Sequence, residues 1–561
     1  MKKKYTKIVV SFVILGTLMV GLLSFNRDSK NFTIAKNLDI YYSLFRELNL
    51  FYVDSISPDK IVKTSIDKML ETLDPYTVYI PEQDMDDFEF MTTGEYGGIG
   101  AVISKHDSLV VVAEPYEGFP AQKTGLKAGD VFVEIDGVKI QGLKKVEEVS
   151  NLLKGTVGEE VKIKVSRFGE KKPLTFKVKR EKIHVDAVPY YGMLNDEVGY
   201  VRLKSFTLNC GDDVKRAILE LKEKHHAKKL VFDLRSNPGG LLIEAVKIAN
   251  LFVNKGEEIV STKGKVSTWD KVYKAPVAPL DTLMPLVVLV NRGSASASEI
   301  VTGAIQDLDR GVVIGNRTFG KGLVQTTRDL SYNSKLKVTT AKYYIPSGRC
   351  IQALDYSHRN DDGSVGTIPD SLITEFNTRG GRKVYDGGGI TPDLEIKPEY
   401  FSSISINLIR EFMIFDYATK FVAEHKEIPS VQDFEITDDI YNDFVSYVTK
   451  HDFTYESVSE KLLERVVAKA KKEKYYDLSK DDFDALKKKL APNLEKDIKA
   501  FKPEICDLLK GELIVRYYYQ KGQIKSALKD DIEIKKAKEL LANMDEYKEY
   551  LEAGRVIKHE D

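Results

Sequence analysis

At 561 residues the chain is too long for one hydrophobic core, and roughly 100 to 200 residues per domain implies three or four modules. Lys and Arg number 84 against 85 Asp and Glu, and 42% of residues are hydrophobic, which excludes global disorder and the one-signed field of a nucleic-acid binder. Cys210, Cys350 and Cys506 are odd in number, widely spaced and outside any CxxC or Cys/His pattern, so neither a disulfide framework nor a zinc site is indicated, and no metal or other cofactor is expected.

The first elements are a targeting segment and a helical stretch. Lys2, Lys3, Lys4 and Lys7 precede an uncharged, mainly apolar run of 18 residues from Ile8 to Phe25, a pattern that starts export. The run is long for a signal-peptide core, barely long enough to span, and no A-x-A-like cleavage site follows it, which favours an uncleaved anchor over a cleaved signal peptide for residues 1–30. Basic residues stay on the cytoplasmic side, so the remainder is expected to be exported, periplasmic or in the cell envelope, with residues 8–25 as an inner-membrane anchor. Over 31–92 the apolar spacing is helical, with Leu38, Tyr41, Tyr42, Leu44, Phe45 and Leu48, then Ile61, Ile66, Met69 and Leu70. This predicts a small helical domain, ended at Leu73-Asp74-Pro75-Tyr76 because the residue before a proline is pushed out of helical geometry.

At Gly94 the texture changes. Tyr96-Gly97-Gly98-Ile99-Gly100 leads into short β-rich runs such as Leu109 to Val112 and Val161 to Val165, and Pro120 to Asp130 supplies an AxxxGLKxGD segment before an Asp136-Gly137 turn. From about Gly94 to Arg180 these residues resemble a PDZ domain, assigned to 93–182. The resemblance implies that the loop Tyr96, Gly97, Gly98, Ile99 and Gly100 offers backbone N–H groups to a substrate's terminal carboxylate while the peptide adds as a strand. A module that only packs against or gates the rest is the alternative.

From Gly199 onward strand-like and helix-like segments alternate: Tyr200 to Leu203, Asp213 to Lys224, Leu230 to Leu234, Leu242 to Leu251 and Leu286 to Val290. This predicts a mixed α/β core with some parallel strands, assigned to 183–400. Residues 401–561 turn to Lys- and Glu-rich helices, with Val458, Leu462, Val466 and Ala470 showing the period. Oligomerisation, adaptor binding and shielding of an active site all remain open for that region.

Asn291-Arg292-Gly293-Ser294-Ala295-Ser296-Ala297-Ser298-Glu299-Ile300 follows the apolar run Pro285 to Val290. A serine on a small-residue turn after a strand allows close substrate approach, and the start of a helix leaves amide hydrogens free for an oxyanion. Read alone, the stretch is equally a helix cap. Thr318-Phe319-Gly320-Lys321-Gly322-Leu323-Val324-Gln325 places a lysine between glycines in an apolar stretch. An ordinary lysine titrates near 10.4, but burial lowers that by up to about 3 to 5 units, which makes a base able to deprotonate serine. Leu230 to Gly240 runs from a buried strand into a glycine loop; it lacks GxGxxG and GxxxxGK[ST], which argues against a phosphate cradle.

Together, GSASASE, the TFGKGxVQ segment, a DLRxNxGG segment and the upstream PDZ-like module resemble the carboxyl-terminal processing peptidases, or tail-specific proteases, over roughly Leu38 to Asp393. Ser296 lies 25 residues before Lys321, the family's spacing, which selects Ser296 over Ser294 and Ser298. The resemblance implies a ClpP/crotonase-like mixed α/β serine peptidase core in a multi-domain α/β chain. It also implies a Ser296–Lys321 pair oriented by Gln325, and an oxyanion hole from Ala297 with Gly239 or Gly240. The expected activity is that of a serine endopeptidase cleaving near or toward the C-terminus of exported proteins. Its expected partners are protein or peptide chain ends, with no nucleic acid. The alternative is a catalytically inactive PDZ adaptor or scaffold of the cell envelope. None of the eight histidines falls in the serine or lysine motif, which disfavours a Ser-His-Asp arrangement.

Overall fold

The computed structural model describes residues 30–142, 145–360 and 362–552. The expected export segment lies outside the described residues; among those described, no helix is long and apolar enough to cross a membrane.

Helices α1 (residues 30–51) and α2 (Pro58–Glu71) form where the helical spacing places them, joined by a 2.5 Å hydrogen bond between the Tyr41 and Ser65 hydroxyls. Their apolar side chains do not close into a core: Leu38 is 63% exposed and Tyr42 65%. Strand β1 (Val78–Ile80) and helix α3 (Met85–Thr93) then carry the chain to the PDZ-like unit.

That unit has the sheet order β3-β4-β5-β7-β8, all antiparallel, built from β3 (Ala101–His106), β4 (Leu109–Pro115), β5 (Val131–Ile135), β7 (Glu160–Ser166) and β8 (Leu174–Lys179). β6 (Val138–Lys139) pairs with β5, while β2 (Glu95–Gly98) and β9 (Glu181–His184) form a separate ribbon. On β7 the inward residues Val161, Ile163 and Val165 are fully buried and alternate with exposed Glu160 and Lys162, the period-two pattern of a half-covered sheet. Helices α4 (Pro120–Lys123) and α5 (Val146–Leu153) complete the unit, and α5 lies beside the free edge of β3.

The mixed α/β core holds a six-stranded sheet in the order β10-β11-β12-β15-β16-β23, from β10 (Tyr190–Met193), β11 (Val198–Arg202), β12 (Lys229–Asp233), β15 (Leu286–Val290), β16 (Val312–Gly315) and β23 (Leu394–Glu395). Only β10 and β11 pair antiparallel. Every residue of β15 is buried, so the strand is covered on both faces, the condition under which parallel strands read as unbroken apolar runs. Helices α6 (Cys210–His225), α7 (Leu242–Asn250) and α8 (Ala297–Asp307) cover one face. A second sheet runs β1-β18-β13-β14 through β13 (Glu258–Gly264), β14 (Lys271–Lys274) and β18 (Lys335–Tyr344), with β17 (Leu323–Asp329) also on β18. Two small hairpins follow, β19 (Leu354–Arg359) with β20 (Val365–Thr367) and β21 (Glu375–Asn377) with β22 (Lys383–Tyr385).

The last third is helical. Helices α9 (Ser403–Arg410), α10 (Met413–Glu424), α11 (Asp438–Lys450), α14 (Leu494–Ala500) and α15 (Lys502–Ala527) contribute to an apolar core of their own that includes Leu408, Tyr417, Phe444 and Leu513, while α12 (Val458–Lys472) and α13 (Lys480–Leu490) add no residue to it. Helices α16 (Ile532–Ala542) and α17 (Met544–Glu549) instead return to the six-stranded sheet. There Ile534, Leu540, Leu541 and Tyr547 cover Tyr200, Val231, Leu289 and Ile314 on the face opposite α6 to α8. The Tyr547 hydroxyl accepts from Leu286 N–H (3.0 Å) and donates to Leu286 O (3.1 Å), and Arg235 bridges Asp233 to Asp531 at 2.6 and 2.7 Å.

Candidate active site

Strand β15 leads into the turn that begins at Asn291, and α8 starts at Ala297. Between them Ser296 has φ 56° and ψ −113°, a conformation that costs a non-glycine residue on the order of 1 to 3 kcal/mol. Its neighbours hold it there: Ala295 N–H donates to Asn237 O (3.0 Å) and Ser296 N–H to Glu299 Oε2 (2.8 Å). Ser294 and Ser298 are fully buried and donate their hydroxyls to the carbonyls of Leu234 and Asn237, each at 2.8 Å. Of the three serines, Ser296 is the one that lines the open cleft, about 550 Å³ in volume.

The loop after β12 abuts this turn. Asn237 anchors it, donating its Nδ2 to Leu203 O and accepting Gly239 N–H at its own Oδ1, both at 2.9 Å. That bond occupies the Gly239 donor, which narrows the expected glycine pair to Gly240: among the described residues, neither Gly240 N–H nor Ala297 N–H has an acceptor in the protein. Both glycines need their freedom. Gly239 has φ +96°, and a Cβ there would stand 2.8 Å from Ala297 N and 2.9 Å from Ser296 Cβ; Gly240 has φ +147°, and a Cβ would stand 2.4 Å from Phe206 O.

Glu299 and Tyr343 lock the lysine loop to the serine turn. The Glu299 carboxylate is completely buried and accepts four bonds, from Ser296 N–H (2.8 Å), Lys321 N–H (2.9 Å), Gly320 N–H (2.7 Å) and the Thr318 hydroxyl (2.6 Å). Burial still pushes its carboxyl up to about 7. The Tyr343 hydroxyl donates to Ser296 O (3.2 Å) and contacts Lys321 O. Sequence reasoning gave Glu299 no role, although a Glu three residues after a Ser at a helix start is a capping-box pattern. Gln325 lines the cleft but donates its amide to Thr339 Oγ1 (3.1 Å), and among the described residues it has no hydrogen bond to Ser296 or Lys321. The bonds that span the serine turn and the lysine loop belong to Glu299 and Tyr343.

Lys321 extends into the same cleft as Ser296, with Nζ 4.2 Å from the centre of the Tyr76 ring. Burial first, and the nearby Lys337 second, pull its ammonium down to about 8, against the opposing carboxylates of Glu299 and Asp74. Among the described residues no hydrogen bond joins Ser296 Oγ to Lys321 Nζ, and no histidine lines the cleft. No group of His, Cys, Asp and Glu able to hold a metal ion occurs among the described residues.

Residues 197–356 match the description Peptidase family S41, residues 97–179 match PDZ domain, and residues 404–541 match Probable PDZ-protease, C-terminal helical domain. A carboxy-terminal-processing protease of Bartonella bacilliformis is 37% identical over 378 residues, covering 67% of this chain and 83% of that protein. The chain belongs to peptidase family S41, the carboxy-terminal-processing proteases. A probable CtpA-like serine protease of Staphylococcus aureus is 37% identical over 349 residues, 61% of this chain and 66% of that protein. Among solved structures, the photosystem II D1 C-terminal processing protease is 30% identical, covers 64% of this chain and 93% of its own, and has a TM-score of 0.35. The PDZ domain of a Vibrio cholerae carboxy-terminal protease, solved with a peptide, is 28% identical, covering 16% of this chain and 99% of its own at a TM-score of 0.15.

In this S41 peptidase the PDZ domain carries a groove of about 340 Å³ between the free edge of β3 and α5. Tyr96 and Ile99, from the expected carboxylate loop, line it. Gly97 and Gly98 lie in β2, which pairs with β9, and Gly100 O accepts Tyr116 N–H at 2.9 Å. Phe90 of α3 lines both this groove and the cleft that holds Ser296 and Lys321, and its ring meets Tyr96 edge-on at 5.2 Å.

Proposed function

We propose that Ser296 is the nucleophile and Lys321 the general base of this serine peptidase. The observation that carries the reading is that both side chains open into one cleft while Glu299 and Tyr343 tie their backbones together. Neutral Lys321 takes the Ser296 proton as Oγ adds to a peptide carbonyl, and then gives it to the departing amine. The oxyanion lies against Gly240 N–H and Ala297 N–H, donors already fixed in place before reaction. Water, deprotonated by the same lysine, hydrolyses the acyl-enzyme and frees Ser296. Burial of the amine supports this: with its ammonium lowered to about 8, close to a tenth of Lys321 is neutral at pH 7.

The PDZ groove holds the substrate's C-terminus, the peptide extending the sheet at β3 with its carboxylate at the Tyr96–Gly100 loop. The substrates are exported proteins, reached because residues 1–30 direct the chain out of the cytoplasm and anchor it in the membrane. Ser296→Ala and Lys321→Ala are each expected to abolish β-casein cleavage by the purified ectodomain while fold and peptide binding to the PDZ domain persist. Cleavage retained in either variant overturns the assignment; no cleavage by the wild type, with peptide binding kept, favours the scaffold reading.

A further inference from the structure

The only charged side chains lining the catalytic cleft, among the described residues, are two lysines, Lys321 and Lys337. Lys337 sits on β18 opposite Val78 of β1 and Thr327 of β17, in the interior of the second sheet. Its ammonium has no hydrogen bond and no ion pair among the described residues, and burial is what lowers its pKa. Lys335, two residues earlier on the same strand, shows the ordinary arrangement, a 2.5 Å pair with Asp329.

A half-buried cation without a counter-ion costs folding free energy, and here it also stands near Lys321 and repels that residue's proton. The strand does not need it: the β-branched Val338 and Thr339 that follow are the residues that suit a half-buried sheet position. The remaining wall is apolar or uncharged, with Phe88, Met91, Leu242, Ile300 and Thr327 among its side chains. The missing counter-charge therefore has to arrive with whatever enters the cleft.

We propose that Lys337 is an anion subsite that takes a carboxylate of the polypeptide substrate, so that chains with a negative charge beside the cleaved bond are favoured and those with Lys or Arg there are disfavoured. The proposal rests on the reading of Ser296 and Lys321 as the catalytic pair. A carboxylate has two sources, an Asp or Glu side chain and the substrate's own C-terminus. A carboxylate on Lys337 also removes its repulsion of the Lys321 proton, so the preference belongs in KM and not in kcat.

The test uses quenched fluorescent peptides in which a single Glu or Gln is walked through the positions flanking the cleaved bond, each made as the free acid and as the amide. Wild type, Lys337→Met and Lys337→Arg are compared. The wild type is expected to prefer Glu at one position, or the free acid, by about tenfold in KM, the scale of one charge-assisted hydrogen bond. Lys337→Met is expected to bring the Glu-to-Gln ratio close to one, or to lower the acid-to-amide ratio to what the PDZ domain alone contributes, and Lys337→Arg to keep the wild-type ratio. A collapsing Glu-to-Gln ratio identifies the side chain as the source. A collapsing acid-to-amide ratio identifies the chain end, since the PDZ contribution is the same in both proteins. No discrimination in the wild type, or equal ratios in wild type and Lys337→Met, overturns the proposal. Where Lys337→Met turns over too slowly, fluorescence anisotropy of the same peptides on Ser296→Ala and on Ser296→Ala/Lys337→Met gives the ratio as a ratio of Kd values. Failure of the catalytic reading shows separately, as cleavage that survives Ser296→Ala.

Discussion

Replacing Lys321 with Met is expected to destroy activity and stabilise the protein at neutral pH. In the unfolded chain this amine stays protonated up to 10.5, whereas in the folded protein it does so only up to about 8. Folding at pH 7 therefore carries a penalty of about 3 kcal/mol for holding the charge in the cleft. The Tyr76 ring, 4.2 Å from Nζ, returns about 1 kcal/mol of that. Methionine fills a similar volume without charge, so the variant is expected to gain about 2 kcal/mol, or about 4 to 8 °C in Tm for a unit of this size. The sign follows from proton counting: the unfolded state binds the extra proton between about 8 and 10.5, so wild-type stability rises with pH through that window and the advantage of the variant fades across it. Denaturant unfolding followed by tyrosine fluorescence, at pH 7 and pH 10 on both proteins, measures this. A variant less stable than wild type at pH 7, or a difference equal at the two pH values, refutes the picture of an amine held against its charge.

Further outcomes follow from the same geometry. The proposed mechanism needs Lys321 neutral and Glu299 ionised, with ammonium and carboxyl at about 8 and about 7, so log kcat/KM is expected to fall with a slope near 1 just below pH 8 and to approach 2 below pH 7. In Glu299→Gln the slope is expected to stay near 1. The same substitution turns an amide NH2 toward backbone donors, so a drop of roughly 100-fold or more in kcat is expected with PDZ peptide binding unchanged. Gly239→Ala sets a methyl 2.8 Å from the Ala297 amide nitrogen and is expected to lower kcat by roughly 100-fold, read by steady-state kinetics against a peptide substrate. Tyr547→Phe leaves the Leu286 N–H without its buried acceptor and is expected to cost about 1 to 3 kcal/mol in denaturant unfolding.

Much of this arrangement was legible in the residues. The alternation of Val161, Ile163 and Val165 announces a half-covered sheet, the LVVLV run of β15 a buried parallel strand, and the lysine between glycines a side chain held in an apolar stretch. What was not legible depends on the third dimension. Which glycine keeps a free N–H turns on the Asn237 side chain folding back onto Gly239, which no spacing encodes. Glu299 and Tyr343 lie 44 residues apart in sequence and converge on the backbone of Ser296 only in the folded chain. Likewise, α1 has a clear helical period, yet periodicity does not say whether the rest of the chain supplies a surface to cover it, and Leu38 and Tyr42 remain exposed.

The return of α16 and α17 to the central sheet has a consequence for the order in which the molecule becomes itself. Val198 and Tyr200 are synthesised more than 300 residues before the side chains that seal their face, from Ile534 to Tyr547. Until those turns dock, the strands that present the serine turn and the Gly239–Gly240 loop have one greasy side open to water. A nascent chain of this kind cannot seal the sheet that carries the serine turn until residues 534–547 have been delivered, so assembly itself delays the completion of the cleft.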